Sequence, residues 1–163
     1  MDWCVSAEKP YDDSVTDKRK TSMDDLKRQA LEARDRAYAP YSKFRVGAAL
    51  RCSDGTVFLG CNVENASYGL CVCAERTAIG TAVAQGQTRF TAIAIATASS
   101  PPSPPCGMCR QVLSEFCEDL PISLINPEGE ESQTTLRQLL PSGFDHALLQ
   151  TGMDPTDDDA EDT

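Results

Sequence analysis

Residues 73–97 read CAERTAIGTAVAQGQTRFTAIAIAT, and this stretch decides the fold class. Its first half, Ala74 to Gln85, is rich in alanine and other helix formers and stops before Gly86, a residue common just past a helix end. Its second half, Phe90 to Thr97, is an apolar run with the length of a buried strand. A helix followed directly by a buried strand predicts a crossover in an α/β protein.

The segments before this stretch predict a helix and a hairpin. The Thr21-Ser22 pair offers a capping hydroxyl and two aspartates follow it, which indicates a helix over 23–38. Residues 45–52 and 56–63 are apolar runs on either side of an Asp54-Gly55 turn. This pattern favours two antiparallel strands.

The segments after residue 97 predict a second helix, another strand and a short helix. A proline-rich loop over 98–105 leads to a helix from Cys106 to about Phe116. Residues 122–125 read as a strand, 126–129 as a turn and 135–140 as a short helix. The whole pattern predicts an α/β fold with a mixed β-sheet sandwiched between helix layers.

The chain has 163 residues and 40% hydrophobic content, enough for one compact domain with its own core. We place this domain at 21–152, after a flexible polar extension at 1–20 and before an acidic disordered tail at 153–163. No apolar run is long enough to span a membrane, and no secretory signal precedes the domain. A cytoplasmic location follows as the expectation.

The net charge of -10 comes almost entirely from the two ends of the chain. Residues 26–152 carry twelve acids and eleven bases, so the body of the domain is close to neutral. This distribution lacks the basic stripe expected of a protein that binds a polynucleotide. The expected partners are therefore a small molecule and water, with no polynucleotide and no membrane.

Eight cysteines would suggest disulfides in a small secreted protein, but the core and the missing export signal favour reduced thiols. Cys73 opens the helix described above, and Cys106 and Cys109 lie three residues apart at the start of the next. Two helix starts can converge on one ion, and three thiolates favour a zinc site with one open position. Two other interpretations remain, a four-cysteine site completed by Cys71 and a redox dithiol at Cys106 and Cys109.

Glu75 favours the catalytic interpretation, because two residues after Cys73 its side chain is directed toward the open coordination position. Zinc would acidify a water molecule, and Glu75 would take the proton and pass it to the substrate. Arg76 is expected to reduce the negative charge of three thiolates. The only histidine, His146, is expected at the surface.

These motifs carry a resemblance. Cys73-Ala74-Glu75 followed by Pro105-Cys106-Gly107-Met108-Cys109 resembles the three-cysteine variant of the zinc deaminase signature. Phe44 with its preceding residues, the run Gly60 to Tyr68, and Cys73 to Ile79 are similar to cytidine deaminases of the small homotetrameric type. The resemblance extends from about Leu26 to Leu149.

The resemblance implies a cytidine deaminase-like three-layer fold, a homotetramer, and conversion of cytidine and 2′-deoxycytidine to uridine and 2′-deoxyuridine in pyrimidine salvage. It implies that Cys73, Cys106 and Cys109 hold zinc and that Glu75 carries the proton. It implies that Asn62 and Glu64 bind the ribose 3′-hydroxyl and that Phe44 faces the pyrimidine. The remaining implied substrate contacts, partly supplied by neighbouring subunits, are Ala66, Tyr68 and Phe144.

Two alternative functions share parts of this pattern. A deaminase of another aminopyrimidine nucleoside, such as blasticidin S, would have the same zinc motifs. A structural zinc module for protein binding would keep the cysteines but leave Glu75 without a role.

Overall fold

A computed structural model describes residues 21–151 of the chain. None of the helices in this range is long and apolar enough to cross a membrane. The segments predicted as a flexible extension, 1–20, and as an acidic tail, 153–163, lie outside the described residues, so the domain limits drawn from them stay predictions. The elements are α1 (Met23–Asp35), β1 (Gly47–Cys52), β2 (Val57–Cys61), a 3₁₀ turn (Tyr68–Leu70), α2 (Ala74–Ala84), β3 (Phe90–Ala96), α3 (Gly107–Ser114), β4 (Pro121–Ile125), β5 (Glu131–Thr135), α4 (Leu136–Leu139) and α5 (His146–Thr151).

The strands form one five-stranded sheet in the order β2-β1-β3-β4-β5. The β1–β2, β1–β3 and β4–β5 pairs are antiparallel, and β3 and β4 run parallel. Helix α2 carries the chain from β2 across β1 to β3, and α3 connects the parallel pair. The predicted mixed sheet and the predicted crossover are both confirmed.

Helices cover both faces of this sheet because successive strand residues point to opposite sides. Ala48 and Leu50 of β1 pack in the core cluster that contains α2, whereas Ala49 packs against Leu26 and Ala30 of α1. Helices α3 and α4 contribute Leu113 and Leu136 to the α2 side. The sheet is therefore sandwiched between helix layers, as the sequence predicts.

Two glycines let the helices approach the hairpin closely. A Cβ at Gly47 would lie 2.1 Å from the Ala30 carbonyl oxygen of α1. A Cβ at Gly60 would lie 2.2 Å from the Ala74 carbonyl oxygen of α2. Because no carbon atom fits at such distances, Gly60 fixes how near the first turn of α2 lies to the sheet.

Replacing Gly60 by alanine is expected to lower the free energy of unfolding by about 3 kcal/mol, because the new methyl group must push α2 off β2. Gly80→Ala is the matched control in the same helix. Nothing lies within 4 Å of a Cβ at Gly80, so alanine there should stabilise the protein by about 0.5–1 kcal/mol. Urea denaturation of both variants measures the difference, and equal stabilities would contradict the close approach.

Two differences from the sequence expectations have simple causes. Helix α1 ends at Asp35 rather than at residue 38, because Tyr38 leaves the helix to form a bridge with Val63. Its predicted start is correct, with Ser22 as the capping residue. Strand β5 (Glu131–Thr135) was not predicted, because its residues ESQTT are mostly exposed and lack apolar alternation. Among residues 21–151 it pairs with β4 alone, at the edge of the sheet.

Candidate metal centre

Three thiols from two helix starts meet at one point. The Cys73 Sγ lies 3.8 Å from the Cys106 Sγ, and the Cys106 Sγ lies 3.5 Å from the Cys109 Sγ. All three sulfur atoms lie within 4.8 Å of one another. Tetrahedral zinc with bonds of about 2.3 Å holds its sulfur ligands about 3.8 Å apart. The spacing of the thiols therefore fits zinc.

The local backbone explains why these side chains converge. Cys73 and Cys106 are the N-caps of α2 and α3, and neither sulfur makes the capping hydrogen bond that serine or aspartate would make there. Cys109 lies one turn into α3 and is fully buried. Each sulfur thus lies at a helix N-terminus, where the aligned peptide dipoles stabilise a thiolate.

The groups around the thiols favour negative charge on the sulfur of Cys73. Hydrogen bonding with Cys109 and with Arg76 lowers the pKa of the Cys73 thiol to about 5. The same contact with Cys73, together with burial, raises the pKa of Cys109. The Arg76 Nη2 lies 3.9 Å from the Cys73 Sγ and also donates a hydrogen bond of 3.0 Å to the Cys71 carbonyl oxygen. A cation already lies beside the first ligand.

Glu75 is a buried carboxyl group next to these thiols. It is 4% exposed, in the first turn of α2. Burial raises the pKa of this carboxyl above its usual range, and the charge of Cys73 adds to the rise, while a hydrogen bond with Cys109 opposes it. A carboxyl group with a raised pKa is suited to take up and return a proton near neutral pH.

The Cys71 thiol contacts the backbone of Asn65. Its Sγ lies 3.4 Å from the Asn65 backbone nitrogen and 3.7 Å from the Asn65 carbonyl oxygen. Among the described residues, the cluster of metal-ligating groups contains Cys73, Cys106 and Cys109 and not Cys71. The geometry thus gives no support to a four-cysteine site. His146 lies in α5, exposed and within hydrogen-bonding distance of Gln150.

Asn62 and Glu64, predicted as ribose ligands, both bond to the segment that carries Phe44. The Asn62 amide accepts a 2.8 Å hydrogen bond from the Val46 backbone N–H and donates one of 2.9 Å to the Phe44 carbonyl oxygen. The Glu64 carboxylate accepts hydrogen bonds from the Ser42 hydroxyl and from the Tyr41 and Ser42 backbone N–H groups. These contacts, led by the Ser42 hydroxyl, lower the pKa of Glu64.

The other predicted substrate residues lie at the surface. Ala66 is exposed in the loop before the 3₁₀ turn. Tyr68 is 74% exposed, and its ring packs edge-to-face with that of Tyr41. Phe144 is 60% exposed between α4 and α5. The structure thus brings Phe44, Asn62 and Glu64 together. The side chains of the other three predicted contacts, Ala66, Tyr68 and Phe144, are exposed.

A cavity of about 720 Å³ lies at the C-terminal end of α3, away from the helix start that carries the thiols. Its walls include Phe116, Leu140 and Phe144, and none of the three cluster cysteines. The thiol cluster itself lies open, with Cys106 exposed. Within the described residues, the exposed Cys106 thiol forms the open side of the cluster, since Cys109 is buried and Cys73 is half-buried.

Gln111 and Ser42 make contacts at the site that the sequence did not predict, although Gln111 lies in the predicted helix over 106–116 and Ser42 lies two residues before Phe44. The Gln111 side chain forms hydrogen bonds with both the carbonyl oxygen and the N–H of Phe144. The Ser42 hydroxyl connects Glu64 to the Phe44 N–H, which donates to it over 2.9 Å. The one sequence signal for either residue is that Gln111 lies two residues after the Pro105–Cys109 motif.

The chain is similar to proteins of one family. Residues 20–122 match the family described as "Cytidine and deoxycytidylate deaminase zinc-binding region". A protein named cytidine deaminase from Sporosarcina psychrophila is 48% identical to it over 117 residues, which cover 71% of this chain and 86% of that protein. Another of the same name, from Halalkalibacterium halodurans, is 48% identical over 120 residues, which cover 73% of this chain and 91% of that protein. The crystal structure of cytidine deaminase from Burkholderia pseudomallei aligns with a TM-score of 0.73 at 50% identity, covering 76% of this chain and 99% of that one. All three clustered thiols lie inside the matched region.

Proposed function

Because the chain belongs to the family of cytidine and deoxycytidylate deaminases, we propose that it hydrolyses cytidine and 2′-deoxycytidine to uridine and 2′-deoxyuridine with release of ammonia, in pyrimidine salvage. The observation that carries this proposal is the position of the buried Glu75 carboxyl against three converging thiols. A structural zinc site has no use for such a carboxyl group, whereas a hydrolytic one needs it.

Zinc is the cofactor, and Cys73, Cys106 and Cys109 would hold it through their sulfur atoms. When bound, zinc supplies a Lewis acid that lets a water molecule lose a proton near neutral pH. Arg76, beside the Cys73 sulfur, would reduce the excess negative charge of three thiolates and one dication.

Glu75 moves the protons of the reaction. One carboxylate oxygen accepts a proton from the attacking water. The oxygen of this water can then bond to the ring carbon that bears the amino group. The protonated carboxyl group then gives this proton to the ring nitrogen. Glu75 next carries the proton of the new hydroxyl group to the amino group, the carbon–nitrogen bond breaks, ammonia leaves, and the ring carbon becomes a carbonyl. Burial keeps bulk water away from the carboxyl group and so favours transfer to the substrate.

The nucleoside would bind between the thiols and the segment that carries Phe44. Phe44 would lie on the pyrimidine, and Asn62 and Glu64 would bind the ribose 3′-hydroxyl. Their hydrogen bonds to the backbone of residues 41–46 support this assignment, since they join the ring-binding and ribose-binding residues into one unit. The assignment is completed by three outward-facing residues, Ala66, Tyr68 and Phe144.

The active form would be a homotetramer in which neighbouring subunits complete each site. Four apolar side chains support this, because each is at least 60% exposed on the single chain, and burial between subunits would remove them from water. They are Tyr68, Leu70, Met108 and Phe144. The tetramer would be cytoplasmic, where thiols stay reduced, in agreement with the free cysteines of the described residues.

The experiment is to incubate the purified protein with cytidine, follow the ultraviolet absorbance, and measure metal in the same sample. We expect conversion to uridine with about one zinc per chain. Deoxycytidine and blasticidin S, tested in parallel, rank the substrates. Zinc without conversion of any of them would replace the proposal by a structural zinc module, and turnover of blasticidin S alone would replace it by the related deaminase.

A further inference from the structure

The side chain of Gln111 holds the backbone of Phe144 at two points. Its Nε2 donates a hydrogen bond of 2.6 Å to the Phe144 carbonyl oxygen, and its Oε1 accepts one of 3.2 Å from the Phe144 N–H. Both backbone polar groups of Phe144 therefore pair with one amide group, in the way that two strands pair. The pair is 33 residues apart in the chain, so it is a tertiary contact and not a local turn.

The residue before Gln111 strengthens the same attachment. The Arg110 guanidinium donates 2.7 Å to the Pro105 carbonyl oxygen and 3.0 Å to the Leu139 carbonyl oxygen. Two side chains of α3 thus hold the segment 139–144. Arg110 bonds to the first residue of the segment, and Gln111 bonds to the last. The segment between these points contains Pro141 and Gly143 and no regular secondary structure, so its path depends on the two attachments.

Only an amide of this length can form the contact at Phe144. An amide presents a donor and an acceptor side by side, whereas a carboxylate has only acceptors and the side chains of lysine and arginine have only donors. Asparagine is one methylene group shorter than glutamine. The residue type at 111 therefore matches the two backbone groups it meets.

We infer that Gln111 is the positioning residue for Phe144: it fixes the backbone from which the exposed Phe144 ring reaches a nucleoside, without touching the nucleoside itself. This inference rests on the proposed function, in which Phe144 is a substrate contact. The residues before Phe144 lack regular structure, and Gln111 pairs with both backbone polar groups of Phe144, so this contact fixes the backbone position from which the exposed ring projects.

The same helix holds the metal ligand. Gln111 follows Cys109 by two residues, which is a rotation of about 200° around a helix. Helix α3 therefore presents Cys109 to the thiol cluster on one side and Gln111 to Phe144 on the other. A change at Gln111 should alter nucleoside binding while the zinc ligands stay in place.

The test is a double-mutant cycle on the full chain, with kcat, KM for cytidine and zinc content measured for each variant. Gln111→Met keeps the length of the side chain but loses both hydrogen bonds, and we expect KM to rise on the order of tenfold with kcat and zinc nearly unchanged. Gln111→Glu keeps one acceptor but sets a carboxylate oxygen against the Phe144 carbonyl oxygen, so its KM should rise at least as much. Gln111→Met added to Phe144→Ala should raise KM no further than Phe144→Ala alone.

The matched control is Gln87→Met, which removes an amide that bonds to Asp54 in the hairpin turn and should leave KM unchanged. Additive effects of Gln111→Met and Phe144→Ala would overturn the inference, because Gln111 would then act by another route. Loss of zinc in Gln111→Met would overturn it as well, as would an unchanged KM in Phe144→Ala. If the wild-type protein still converts cytidine, each of these results contradicts only the role of Gln111. If the wild-type protein does not convert cytidine, the proposed function itself is wrong.

Discussion

Glu75→Gln should lower kcat/KM for cytidine by about 10³-fold, within the range expected for loss of a general acid–base group. Glutamine has the size of glutamate, so the packing at this buried position should stay the same. Its amide cannot take a proton from water and return it to the ring nitrogen. Steady-state kinetics with cytidine measures the loss, and metal analysis of the same sample should still give about one zinc per chain.

Glu118→Gln is the control for Glu75→Gln, because the Glu118 side chain is almost fully exposed and only a 4.0 Å contact joins it to Arg137. It should keep wild-type kinetics. The midpoint temperature of thermal unfolding should be no lower in Glu75→Gln than in the wild type. Burial already disfavours the charged carboxylate, and the neutral amide avoids that cost. Wild-type activity in Glu75→Gln would mean that another group carries the proton.

Cys106→Ala should abolish both zinc binding and activity. The change leaves two thiolates, which hold zinc far less tightly than three, and zinc content should fall from about one to near zero per chain after dialysis. Activity should fall by at least about 10³-fold, because the Lewis acid is lost with the metal. Metal analysis and kinetics on one preparation make the measurement. Cys106 is exposed, so the substitution opens no cavity in the core.

Cys71→Ala is the matched control for Cys106→Ala. It removes a neighbouring thiol whose partner is the backbone of Asn65, so zinc content should stay at the wild-type value. If Cys71→Ala lost zinc and Cys106→Ala kept it, the ligand set given above would be wrong. Loss of zinc in both variants would indicate a four-cysteine structural site.

The local elements of this fold follow from short-range rules. Ser22 caps α1 because its hydroxyl accepts a hydrogen bond from the Asp25 N–H, and the Asp25 carboxylate accepts one from the Ser22 N–H. Gly55, at φ 91°, lets the hairpin turn close between β1 and β2. Each depends on a few neighbouring residues, and for that reason composition and order were enough to predict them.

The cysteine cluster was predictable for a related reason. Cys73, Cys106 and Cys109 lie at helix starts that flank one buried strand, so the connections limit how far apart the two helix N-termini can be. Glu75 follows Cys73 within one helical turn, and its burial beside the thiols agrees with that spacing. Here the spacing along the chain carries most of the information about the spacing in three dimensions.

Contacts between distant segments were not predictable in this way. Asn62 and Glu64 were expected to face a hydroxyl group of the substrate, but in the structure their polar atoms also hold residues 41–46. Strand β5 forms because β4 offers it an edge, although its own residues are polar. No local preference of Gln111 or Phe144 indicates that the two meet.

The helix starts, the apolar strands β1 to β4, and the thiols and carboxyl group of the metal centre could be predicted from the sequence, because they depend on local hydrogen bonding, on short apolar runs and on spacing along a helix. Three features became visible only in the folded chain: how α2 lies against Gly60, which residues hold the Phe44 segment, and how α3 holds Phe144. Those contacts join residues far apart in the chain, and a hydrogen bond between such residues forms only after the sheet and helices have brought both partners within about 3 Å.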